Sequence, residues 1–90
     1  MSTKVDVDID ELERFASQLQ QFNQQLEQIT YKIGGQLQNL GSSWRDDQYE
    51  KFSEEWHSTF KAIYSYIDRH APTYVRYLKT KAAKLRDTRN

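Results

Sequence analysis

The residues able to do acid–base or metal chemistry are few, and their spacing is poor for it. The two histidines, His57 and His70, stand 13 residues apart. Neither belongs to an HExxH spacing or to a facial triad, so no metal-ligand set forms. Cysteine is absent, which excludes disulfides and thiolate sites. Ser58 follows His57, but there is no nucleophile elbow around it. The carboxylate pairs Asp46-Asp47 and Glu54-Glu55 read as helix caps or a solvated face. Gly34-Gly35 has no strand before it and no Lys-Ser/Thr after it, so it reads as a bend or a close helix contact, not a phosphate loop. His57 reads as an exposed helix residue and His70 as an edge-of-core residue. No catalytic, cofactor-binding or metal-ligating residue is assigned, and the chain reads as non-enzymatic.

The charges offer a second kind of chemistry, attraction to ions. The 90 residues hold 13 basic and 13 acidic side chains, net zero. That balance argues against wholesale nucleic-acid binding, which needs a basic excess. The charges are nonetheless segregated. Residues 1–68 carry 12 acidic and 6 basic side chains. After them come Arg69, Arg76, Lys79, Lys81, Lys84, Arg86 and Arg89, against Asp87 alone. Two readings stand. This basic tail pairs with the chain's own acidic start (Asp6, Asp8, Asp10, Glu11, Glu13), or it docks an acidic partner or phosphate surface.

Two long helices position these residues. In the first, Leu12, Phe15, Leu19, Phe22, Leu26, Ile29, Ile33, Leu37 and Leu40 recur at steps of three and four, the heptad rhythm. They fall within an arc of about 100°. The pattern predicts helix 1 over about residues 10–40, capped by Asp8 or Asp10, with Gly41 as a left-handed C′ glycine. A turn over 41–46 follows. Asp47 and Glu50 have capping-box spacing, so helix 2 is predicted from about 47 to 87. Its apolar side carries Tyr49, Phe52, Trp56, Phe60, Ile63, Ile67, His70, Tyr74, Leu78 and Leu85. Tyr64, Ala71, Val75 and Ala82 widen it on one flank, Tyr66 and Tyr77 on the other. Pro72 should kink or interrupt it near Ala71.

The resulting fold class is all-α: one domain over residues 1–90, a hairpin of two long antiparallel helices. Hydrophobic residues make up 37% of the chain but aromatics 13%, so the apolar side chains are few and large. A lone two-helix hairpin buries too little to offset its conformational entropy. The aromatic face of helix 2 is too wide for one facing helix. Dimerisation into a four-helix bundle is the simplest arrangement that covers it. No apolar run approaches the ~20 residues of a membrane span, and the polar, acidic start does not read as a secretory signal.

The stretch from Leu40 to Phe52 resembles the signature of the WXG family, the early-secreted-antigen type of small helical hairpin. Leu40, Trp44 and Phe52 match its Leu, its turn tryptophan and the aromatic two turns on. Trp44, Arg45 and Asp46 stand where the family has Trp-x-Gly, so Asp46 replaces the glycine. Asp tolerates turn conformations well, and the turn is expected to survive. Trp44 itself reads as a cap over the hairpin end near Leu40 and Phe52, or as a contact for the secretion machinery or a partner.

The resemblance implies a small protein of a type VII (Esx-like) secretion system, made in the cytoplasm and exported by a signal-peptide-independent route. It acts as a homo- or heterodimer through helical contacts. The implied partners are itself or a paralogous WXG-like protein, a larger toxin and a secretion ATPase. No cofactor is implied. The interface would use Leu12, Phe15, Leu19, Phe22, Leu26, Ile29, Ile33, Leu37 and Leu40 of helix 1, and Phe52, Trp56, Phe60, Ile63 and Ile67 of helix 2. The family's export motif, Tyr-x-x-x-Asp/Glu after helix 2, has its one match at Tyr64 and Asp68, inside the helix. A partner would then supply the signal. The alternative is a cytoplasmic helical adaptor, or an escort for a larger toxin.

Overall fold

The computed structural model describes residues 7–89; Asp6 and the side chain of Arg89 lie outside the described residues. Helix α1 spans Ile9–Leu40. Asp8 starts it: its carboxylate accepts from the Asp10 N–H at 2.9 Å and the Glu11 N–H at 3.2 Å. Asp10 and Glu11 are thereby left in the first turn, where the positive end of the helix dipole favours them. Gly41 ends α1, but not as the left-handed cap expected: its backbone is right-handed, with φ −61° and ψ −19°. Space rather than conformation calls for glycine here. A Cβ would stand 2.7 Å from the Tyr49 hydroxyl oxygen.

Helix α2 spans Asp47–Ser65. Its cap is Asp46, one residue before the expected Asp47, and the Asp47–Glu50 capping box does not form. The Asp46 backbone is extended, and Oδ1 accepts from the Gln48 N–H at 2.9 Å and the Tyr49 N–H at 3.3 Å. Those are the second and third helical amides, the two a cap side chain can reach. Asp47 and Glu50 sit in the first turn instead.

Pro72 does not interrupt the chain. A π-helical turn, Tyr66–His70, joins α2 to α3 (Ala71–Arg89) without a break. The Ala71 N–H bonds back to the Tyr66 carbonyl, five residues away. An α-helical Pro72 would leave the Asp68 carbonyl without a donor and press its ring against that turn. Widening the turn by one residue relieves the crowding and lets helix continue to Arg89.

The hairpin is a rod of 63 × 25 × 17 Å. Its innermost row on α1 is Ile9, Ala16, Thr30 and Leu37, buried at a spacing of seven or a multiple of it, with Asn23 half-buried among them. A seven-residue step drifts only about 20° per repeat, so the row stays on one side. Phe60, Ala71, Val75 and Ala82 are the buried residues facing it. The backbones approach most closely between α1 and α3, where these residues are small. Between α1 and α2 aromatic rings hold them further apart.

This inner row is not the large apolar row read from the sequence. Of the expected interface, Leu37 and Phe60 are buried. Leu12, Leu19, Leu26, Trp56, Ile63 and Ile67 are half-buried, and Phe15, Phe22, Ile29, Ile33, Leu40 and Phe52 are exposed. Ala71, Val75 and Ala82, expected on a flank, face α1 instead. His70, expected at the core edge, is exposed beside Tyr74.

Candidate interaction surfaces at the turn and along the hairpin

Two places gather the side chains singled out by the sequence. One is the turn. There the Trp44 N–H bonds to the Leu40 carbonyl at 2.9 Å, the Ser42 hydroxyl to the Asn39 carbonyl at 2.7 Å, and Arg45 Nε to the Ser42 carbonyl at 3.0 Å. The last carbonyls of α1 thus receive donors from the turn itself. The half-buried Trp44 ring meets Tyr49 edge-on at 5.6 Å and Phe52 at 6.3 Å. Phe52 stacks on Trp56 with 9° between the planes. Trp56 meets Phe60 edge-on at 5.1 Å, Phe60 lies 6.0 Å from Tyr64, and Tyr64 5.6 Å from Tyr31 of α1. One aromatic ladder therefore runs from the turn to the middle of the rod. The Tyr49 hydroxyl ties it to α1 by donating to the Leu37 carbonyl at 2.9 Å.

The other place is one broad side of the rod. Gln20, Gln24 and Glu27 of α1 line a groove together with Pro72, Arg76 and Lys79 of α3, which fixes one side of the seam. Phe15, Phe22 and Ile29 project from the opposite edge of α1 and are each more than half exposed, at 52, 53 and 58%. By the same rotation about their own axes, Phe52, Ile63, Tyr74 and Leu78 fall on that opposite side too. Leu40 and Phe52, 44 and 45% exposed, continue it to the turn.

The residues with acid–base or charge chemistry are scattered by comparison. His57 Nδ1–H donates to the Ser53 carbonyl one turn back, at 2.7 Å. Among the described residues no group of three His, Asp or Glu side chains converges as a metal site would require. Arg86 bonds both Asp10, at 3.1 Å, and Glu13, at 2.8 Å. Those hydrogen bonds, Asp10 first and then Glu13, raise the guanidinium pKa above its usual value. Among the described residues, the tail thus pairs with the acidic start through Arg86. Arg76, Lys81 and Lys84 are exposed, and Lys79 bonds the neutral Gln20. Tyr64 is half-buried against Tyr31 and Phe60, while Asp68 is exposed in the π-helical turn. No hydrogen bond joins them.

A family model described as "WXG100: Proteins of 100 residues with WXG" matches residues 4–90. The chain belongs to the WXG100 family. That membership makes it a small helical protein associated with type VII secretion, in a family not known for enzymes. No curated protein and no solved structure matches it. As a WXG100 protein it is a helical hairpin without strands among the described residues, and no helix of these residues is long and apolar enough to cross a membrane. Its departure from Trp-x-Gly is structurally productive. Asp46, at the glycine's place, caps α2.

Sequence reasoning missed three contacts of this WXG100 hairpin. Asn23 Oδ1 accepts from the Tyr66 hydroxyl at 2.8 Å across the seam. The seven-residue spacing of Ile9, Ala16, Asn23, Thr30 and Leu37 was the available signal, hidden by the larger residues beside it. The Tyr49–Gly41 approach had no local signal, since it depends on the helix separation. The Asp46 cap was signalled by an Asp directly before helical residues, but its neighbour Asp47 competed for the role.

Proposed function

We propose that this protein works as a dimer of a type VII secretion system, exported or co-exported without a signal peptide, through the broad side bearing Phe15, Phe22 and Ile29. The observation that carries this reading is the exposure of that row. Over the two heptads from Phe15 to Ile29, about 21 Å of α1, large apolar side chains face water at one-heptad intervals. Because about half of each side chain is already covered, leaving the rest exposed forgoes roughly 1 kcal/mol of burial for each. A matching hairpin covers them and completes a four-helix bundle. The companion is itself or a paralogous WXG-like protein, and a larger toxin carrying a similar hairpin would fit the same side.

The half-buried Tyr64 favours export in company. Its ring is engaged with Tyr31 and Phe60, so the Tyr64–Asp68 pair offers the secretion ATPase little to read. The partner then brings the signal, and this chain is the escort. The turn ladder around Trp44 stiffens the end of the bundle.

Native mass determination and a secretion assay test the reading together. The double variant Phe15→Asp, Phe22→Asp is expected to convert the dimer to a monomer and to abolish appearance in the culture medium. A monomeric wild-type protein, at concentrations of tens of micromolar and with candidate partners present, overturns it. So does unchanged export of the double variant.

A further inference from the structure

Helix α1 has two rows able to face α3, and it turns the less apolar one inward. Ile9, Ala16, Asn23, Thr30 and Leu37 lie in the seam. Phe15, Phe22 and Ile29, one residue back and about 100° round the helix, are more than half exposed. Apolar area by itself favours the opposite choice. Two polar or small members of the inner row have a local reason to be there. Ala16 permits close approach, and Thr30 satisfies its hydroxyl on the Leu26 carbonyl of its own helix. Asn23 has neither reason. It stands half-buried in the middle of the row, and burying its amide costs free energy unless the amide is bonded.

Tyr66 supplies that bond: its hydroxyl donates to Asn23 Oδ1 at 2.8 Å. Tyr66 opens the π-helical turn, where its carbonyl takes the Ala71 N–H, and its ring lies 6.2 Å from that of Tyr74. The hydroxyl therefore reaches α1 from a held side chain. The other cross-helix bonds choose a face less firmly. Arg86 with Asp10 and Glu13 is an exposed ion pair, of a kind that contributes little. Lys79 and Gln20 are exposed as well, on long side chains. The Tyr49 hydroxyl grips a backbone carbonyl, and a helix presents carbonyls all round its axis.

We infer that Asn23 and Tyr66 are positioning residues that select which face of α1 turns inward, and so keep Phe15, Phe22 and Ile29 outside for the partner. With the Tyr66 hydroxyl present, the seam gives Asn23 the hydrogen bond that water would otherwise give it. The row to which Asn23 belongs is then held in the seam. Without the hydroxyl, Asn23 is better placed in water. Turning α1 by about one residue releases the amide and buries the phenylalanines within their own hairpin. An Asn in an apolar coiled-coil seam acts by the same physics, fixing how helices pair at a cost in stability. The inference rests on the dimer reading for what the outward row does, but not for how that row is chosen.

The chain has no cysteine, so a single introduced thiol reports its own site. Thr30→Cys marks the inner row of α1, at a position 4% exposed, and Val75→Cys marks the α3 side of the seam, at one 8% exposed. Iodoacetamide labelling rates of the two thiols are compared in the full chain, with and without Tyr66→Phe. Turning α1 is expected to raise the Thr30→Cys rate about tenfold relative to the Val75→Cys rate. A mere loss of stability would raise both rates together, and that result overturns the inference, as does an unchanged pair of rates. Adding Asn23→Leu to Tyr66→Phe makes the inner row apolar and is expected to restore the ratio. A ratio that stays high in the double variant would place the cause outside Asn23 and would overturn the inference too. Native mass of the Tyr66→Phe chain then reads the link to the partner: the dimer is expected to dissociate at about tenfold higher concentration. A moved ratio with an unchanged dimer, or with a wild-type chain that is monomeric, keeps the selection by Asn23 and Tyr66 and overturns the dimer reading instead.

Discussion

The two halves of the rod are built on opposite packing rules. In the tail half, α1 and α3 come close because the residues between them are small: Ala16, Ala71 and Ala82 are at most 3% exposed. Polar side chains then bridge the edges, Arg86 to Asp10 and Glu13, Lys79 to Gln20, Tyr66 to Asn23. In the turn half, α1 and α2 stand apart, and aromatic rings fill the space from Trp44 to Tyr64. Its one cross-helix hydrogen bond, from the Tyr49 hydroxyl, reaches a backbone carbonyl. The tail half is therefore limited by volume it cannot accept, and the turn half by volume it cannot lose.

Removing volume from the turn half tests this most severely. Phe60 is 8% exposed and touches Trp56 and Tyr64 in the ladder. Phe60→Ala is expected to cost about 3–5 kcal/mol, the usual range for a buried phenylalanine. Urea unfolding followed by circular dichroism reads it. A loss under about 1 kcal/mol would mean that the helices collapse onto the gap and that the ring is no spacer.

Adding volume to the tail half is the complement. Ala16 is 0% exposed, and Ala16→Leu is expected to cost about 1–3 kcal/mol by overpacking. Added volume at Gly35, where a Cβ meets nothing within 4 Å, should be tolerated. Thermal melts of Ala16→Leu and Gly35→Ala give the contrast. If Ala16→Leu melts at the wild-type temperature, α1 and α3 separate freely and the comparison between the halves fails.

The sequence made the helices, their ends to within a residue or two, and the hairpin legible, because a 3–4 apolar rhythm and a Gly-Ser-Ser break leave few alternatives. It made the wrong row look like the seam. Phe15, Phe22 and Ile29 dominate any count of apolar residues, yet the residues of α1 inside the seam are Ala16, Thr30 and the half-buried Asn23. Thr30 satisfies its own hydroxyl on the Leu26 carbonyl at 2.6 Å, so it can be buried without a partner across the seam. Size and burial part ways here because close helix approach selects small residues, and large ones are left for another surface. Pro72 marked the place but not the form: the α-helical pattern gives way just before Ala71, as a π-helical turn and not as a break. A one-residue widening relieves its clash, and nothing in the local sequence distinguishes that remedy from a break.

Asp46 gives the finest test, because the residue type tells capping from glycine-like freedom. The backbone at 46 has φ −112° and ψ 177°, extended and open to any L-residue. If the position served conformation alone, Asp46→Ala would be neutral. The cap predicts otherwise: Asp46→Ala should cost about 1 kcal/mol, Asp46→Asn almost nothing, and Asp46→Gly a few tenths. Because the Asp46 carboxylate bonds only the first-turn amides of Gln48 and Tyr49, the loss should appear first as fraying of α2's opening turn. Amide exchange at Gln48 and Tyr49, the two N–H groups bonded to Asp46 Oδ1 at 2.9 and 3.3 Å, reads that directly. Faster exchange there in the alanine variant, with the Phe60 amide unchanged, is the expected result. Equal protection in the alanine and asparagine variants would return the turn's stability to Trp44 and its ring contacts, leaving the carboxylate without a structural part in the hairpin's end.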